Sequence, residues 1–67
     1  LDGEMQQLIR QAVDELPDAA RQTLVLKLYA GLTFEQVAQT MNEPMGTITS
    51  RHRRSLEKLK ERVSHLV

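Results

Sequence analysis

Residues 31–54 read GLTFEQVAQTMNEPMGTITSRHRR, and this stretch decides the fold. It predicts a short helix, a tight turn and a second helix that starts small and polar and then becomes basic. Thr33 is placed as an N-cap, and Gln36 three residues later completes a capping box. Phe34, Val37, Ala38 and Met41 recur at helical spacing and are expected to face inward. Ala38 is small where the two helices would cross. Asn42-Glu43-Pro44 supplies the turn, with Pro44 suited to the first position of the next helix. A helix-turn-helix of this kind enters the DNA major groove. Its second helix approaches base edges at its N-terminal end and holds phosphates further along.

The second helix of the motif extends well past it, over about residues 44–64. Met45, Ile48, His52, Leu56, Leu59, Val63 and Leu66 follow one another at steps of 3, 4, 4, 3, 4 and 3, one narrow stripe at about 100° per residue. Thr47, Ser50, Arg51, Arg54 and Lys58 fall on the opposite side, and Arg53 lies between the two. Arg51 and Arg54 are candidates for forked contacts to guanine or phosphate, and Lys58 for backbone phosphate. Thr47, Thr49 and Ser50 allow close approach, and the amides of the helix start add an anion site. The competing reading for the arginines is solvent or an intrahelical pair, Arg53 with Glu57 or Arg54 with Glu61.

Two helices precede the motif. Met5, Leu8, Ile9, Ala12, Val13 and Leu16 form an apolar stripe over about residues 3–15, which Leu16-Pro17 ends. A second helix is expected over 18–29, with Asp18 as N-cap and with Ala20, Leu24, Val25, Leu26 and Leu28 as the buried centre of the domain. Gly31 follows it as the left-handed residue. The expected fold is all-α: one four-helix domain over residues 1–67, with helices at about 3–15, 18–29, 34–41 and 44–64. It is of the winged-helix-like DNA-binding type, without a wing.

Sixty-seven residues bury one modest core. The chain begins with Leu, which suggests a piece of a longer protein. It has no Cys, so thiolate zinc sites and thiol catalysis are excluded, and a reducing compartment fits. His52 and His65 lie 13 residues apart, about 20 Å along one helix, too far to share a metal. His52 is expected to be a partly buried imidazole with one hydrogen bond, and Met5, Met41 and Met45 to be core filler. No cofactor, metal or enzymatic activity is expected: the chain has no phosphate-cradling glycine loop and no nucleophile spaced to a base. No apolar run approaches the roughly 20 residues of a membrane span. With only Tyr29 and Phe34 aromatic, a base-stacking platform has no support.

Net charge is zero, but its distribution is not even. Residues 1–43 hold seven acidic and three basic side chains, and residues 44–67 hold six basic and two acidic, leaving −4 and +4. A DNA backbone responds to the local field, screened beyond about 10 Å. The positive end therefore suits phosphate even on a neutral chain.

Leu16-Pro17, Arg21, the apolar run Leu24 to Leu28, Gly31-Leu32-Thr33-Phe34-Glu35-Gln36-Val37-Ala38 and Gly46-Thr47-Ile48-Thr49-Ser50-Arg51 together resemble region 4 of bacterial sigma factors, the extracytoplasmic-function (ECF) group above all. The likeness runs without gaps from Leu16 to Ser55. It implies a domain at the C-terminal end of a sigma factor, working in the bacterial cytoplasm. Such a domain binds the −35 element of double-stranded promoter DNA through its last helix and docks on the β flap of the RNA polymerase core. Thr47, Ser50, Arg51 and Arg54 match the family's DNA-approaching positions, and Arg21 matches an arginine that touches backbone or polymerase.

This sequence departs from the family at Thr49, usually Lys; at His52, usually Leu; and at Leu56, commonly Arg. The first and third changes lower basic character, and the second loosens the core stripe. Two rival readings remain. One is the LuxR-type output domain of response regulators, a dimer on paired half-sites, against which the Leu-Pro and Gly-Thr signatures speak. The other is a protein-interaction module bound by an anti-sigma factor through Leu32, Val25 or Leu66.

Overall fold

In the computed structural model, described over residues 2–64, four helices pack around a small core and the described residues contain no strand. The helix-turn-helix follows from local chemistry. Thr33 Oγ1 accepts from the Gln36 amide at 3.1 Å while Gln36 Oε1 accepts from the Thr33 amide at 2.9 Å, closing the capping box that opens α3 (Phe34–Met41). Gly31 before it is left-handed at φ +72. Asn42 closes α3 in the left-handed region, at φ 54, with its amide turned back to the α3 carbonyls. Asparagine tolerates that conformation better than most side chains. The last helix, α4 (Met45–Ser64), then begins one residue after Pro44, whose carbonyl accepts from Thr47 and Ile48.

Two helices brace this pair. Asp2 caps α1 (Gly3–Asp14) by accepting from the Met5 amide at 2.8 Å. Glu15, expected as the last residue of α1, is its C-cap. The helix α2 (Asp18–Leu24) has Pro17, not Asp18, as its N-cap. The Asp18 carboxylate instead meets the Arg21 guanidinium one turn on, at 2.6 Å. Beyond Leu24 the helix widens into a π-helical turn (Val25–Tyr29), in which the Ala30 amide reaches back to the Val25 carbonyl.

That turn corrects the expectation that the whole second helix is buried. Leu24 is fully buried and Leu26 half-buried, but Val25, Leu28 and Tyr29 are exposed. The reason is geometric. The wider turn breaks the 3.6-residue period, and this segment packs mainly on α3, whereas α2 packs on α4.

The core is Ala12, Leu16, Leu24, Val37 and Ile48, joined by the buried hydroxyls of Thr23 and Ser55. Both hydroxyls donate at 2.8 Å to carbonyls of their own helix, Thr23 to Ala19 and Ser55 to Arg51, so neither is left unsatisfied. Phe34, Ala38 and Met41 are half-buried beside the fully buried Val37.

The apolar stripe of α4 is also corrected. Ile48 is buried and His52, Leu59 and Val63 are half-buried, but Met45 and Leu56 are exposed, and Ser55 takes the inner position. Leu66 and His65 lie outside the described residues. A small side chain at 55 lets α4 approach α2, where Ala19 and Ala20 line the same crevice. Ser55→Leu is therefore expected to overpack this crossing and cost about 1–3 kcal/mol. A lowered thermal midpoint would show it; an unchanged one would mean the crossing has room to spare.

Candidate nucleic-acid interface

The outer face of α4 starts at Gly46. A methyl group at Gly46 would meet nothing within 4 Å, so the fold itself does not demand a glycine there. Thr47 beside it is exposed. Thr49 and Ser50 are half-buried, and the Thr49 hydroxyl donates back to the Gly46 carbonyl at 3.1 Å. Arg53, Arg54 and Lys58 are exposed, and among the described residues none of them forms an ion pair. The alternative pairs Arg53–Glu57 and Arg54–Glu61 are not formed. Arg54 bends along its helix, its Nε donating to the Ser50 carbonyl at 3.4 Å. The face thus presents a small, open start followed by three free cations.

Arg51 departs from the expected arrangement. The sequence places it on the outer side, but its side chain is only 20% exposed. Its Nη1 lies 2.6 Å from Glu43 Oε2 in the turn and donates to the Thr23 hydroxyl of α2 at 3.5 Å. The contact with Glu43 is one of charges at close range rather than an aligned hydrogen bond. The physical reason is reach. Arg51 follows the buried Ile48 by three residues, about 60° round the helix from it, and its long side chain turns toward the carboxylate of the turn. Glu43 and Thr23 were not expected to take part. The available signal was a single acid in the turn ahead of a basic helix. Arg21 is likewise engaged within the chain, with Asp18 and, at 3.4 Å, the Asp14 carbonyl.

On the inner side, His52 meets the Phe34 ring edge-on at 5.1 Å between centroids, and Lys27 Nζ sits 4.7 Å from the same ring. His52 Nδ1 is buried without a partner, so the hydrogen bond expected of this imidazole is not made through that atom. Burial first, and the Lys27 charge second, hold the His52 pKa below its ordinary 6.5. The folded chain then binds this proton less tightly than the unfolded chain. Stability from His52 is complete above about pH 6.5 and is lost as pH falls through that value toward the lowered folded one. His52→Leu should remove this slope. Thermal melts between pH 7.5 and 5 are expected to fall further for the unaltered chain than for the variant, and equal falls would contradict the assignment.

A family model described as "Sigma-70, region 4" matches residues 12–61. The chain is 31% identical over 67 residues to the ECF RNA polymerase sigma-E factors of Escherichia coli (strain K12) and Salmonella typhimurium (strain LT2). It is also 31% identical over 67 residues to the RNA polymerase sigma-H factor of Pseudomonas aeruginosa. Each likeness covers 100% of this chain and 35% of the relative, so the chain spans about a third of the length of these curated relatives.

Proposed function

The chain belongs to the sigma-70 region 4 family, and from that premise we propose that it recognises the −35 promoter element as the region 4 domain of an ECF-type sigma factor, within RNA polymerase holoenzyme. The observation that carries this reading is the outer face of α4: an open start at Gly46 and Thr47, then the exposed, unpaired Arg53, Arg54 and Lys58. Arg54 is proposed to fork onto a base edge, and Arg53 and Lys58 to hold phosphates. Thr47, Thr49, Ser50 and the first amides of α4 complete the approach to the backbone. Gly46 fits this reading, since a side chain absent there leaves open space at the start of α4. Family membership favours polymerase over the paired half-sites of a dimeric regulator.

The three free cations Arg53, Arg54 and Lys58 on a chain of zero net charge make a weak DNA binder. The reading therefore includes a tether: the polymerase core, through the β flap, would hold the domain at high effective concentration over its element. The exposed apolar run Val25, Leu28 and Tyr29 favours a protein-docking role for the π-helical turn. An anti-sigma factor would compete for such a surface. The test is selection of DNA from a random pool by holoenzyme carrying the full-length protein. Enrichment of one common upstream element supports the reading, and a pool left without any common element would overturn it.

A further inference from the structure

Among the described residues of α4, Arg51 is the cation drawn inward, and its two partners belong to two other elements. Thr23 is wholly buried on α2 and spends its own hydroxyl proton on the Ala19 carbonyl, which leaves its oxygen free to accept from Arg51. Its oxygen also lies 3.4 Å from Met41 Sδ at the end of α3. Glu43 Oε2 is buried and has no aligned donor, so the Arg51 guanidinium is its counter-charge. A planar guanidinium can face acceptors on separate elements at once, which a lysine cannot do as well.

We infer that Arg51 is a positioning residue: clamped by Glu43 of the turn and Thr23 of α2, it sets how α4 leaves the turn and so aims Arg54 and Lys58 at DNA, without touching the duplex itself. This rests on the DNA-binding reading above. It reverses the role that the family's motif implies for this arginine, because the carboxylate that neutralises it sits within the same domain. Loss of either Arg51 or Glu43 leaves a charge without its counterpart in a partly closed crevice, and α4 is then free to shift.

The experiment measures promoter binding by holoenzyme across a salt series, with Arg51→Ala, Glu43→Gln, their combination and Arg54→Ala in the full-length protein. Arg51→Ala and Glu43→Gln are each expected to weaken binding by a similar factor, about 3- to 10-fold, with the combination no worse than either alone. The slope of log affinity against log salt should stay unchanged in all three, since no phosphate contact is lost. The opposite pattern would overturn the inference: Glu43→Gln binding as well as or better than the unaltered protein, with Arg51→Ala flattening the salt slope by about 0.9. That result would mean Arg51 holds phosphate in competition with Glu43. If Arg51→Ala fails to fold, Glu43→Gln decides alone, by weakened binding at unchanged slope or by strengthened binding. Arg54→Ala separates the two readings. Undiminished binding there, with coupled losses at 43 and 51, would remove Arg54 as the reader and leave the clamp standing.

Discussion

Arg54→Ala is expected to weaken promoter binding by the holoenzyme about 5- to 150-fold, the equivalent of about 1–3 kcal/mol for one forked base contact. Among the described residues Arg54 is exposed, makes no ion pair and donates a long bond, at 3.4 Å, to its own helix. Little internal structure therefore depends on it, and helical content should be unchanged. The loss should be greatest on the preferred sequence and small on unrelated DNA, because a base contact carries specificity and a phosphate contact does not. Equal weakening on all sequences would recast Arg54 as a backbone contact. No weakening at all would exclude it from the interface.

Ile48→Asp should have the opposite character, with the fold lost and binding lost in consequence. Ile48 is 0% exposed and lies on the inner side of α4 within the same turn as Thr47 and Arg51. A carboxylate there has no cation arranged to meet it and must be desolvated. The expected loss is on the order of 4 kcal/mol or more. That is comparable with the whole stability of a chain this size, on the order of 3–10 kcal/mol. Circular dichroism of the variant at 25 °C should show most of the helical signal gone. Retention of native helicity would mean that α4 is not anchored through Ile48. The pair of variants separates the two sides of one helix, since Arg54 and Ile48 are six residues apart in sequence and are expected to fail in different ways.

Local features were legible in the sequence because their causes are local. The capping box of Thr33 and Gln36 needs only four residues, and Gly31 needs only its own backbone. The sequence places Asn42 in a turn, and its left-handed conformation supplies the detail. Features that depend on a neighbour were not legible. Ser55 looks like a surface residue beside Leu56, yet the approach of α2 favours the smaller side chain and places Leu56 outside. The apolar content of residues 24–28 predicts a buried centre, but the π-helical turn leaves Val25 and Leu28 exposed. Arg51 is the clearest case. Helical angle locates its Cα, but the position of its charge was decided by Glu43, eight residues earlier and across the turn. At the candidate interface, spacing identified which side of α4 carries cations, and only tertiary contacts separated the free Arg53, Arg54 and Lys58 from the engaged Arg51.

In the holoenzyme, the outer face of α4 is expected to lie against promoter DNA upstream of the start site. These 67 residues contain no cysteine, so a single introduced thiol can carry a DNA-cleaving iron chelate at a chosen position of the domain. The measurement is the cleavage pattern on promoter DNA from holoenzyme labelled at Thr47→Cys, at the exposed start of α4, beside holoenzyme labelled at Gln7→Cys on the exposed side of α1. Strand cleavage centred on the −35 element from position 47, with far weaker cleavage from position 7, is the predicted result. Cleavage at that element from position 7 and not from position 47 would place α1, and not the outer face of α4, on the duplex and overturn this assignment.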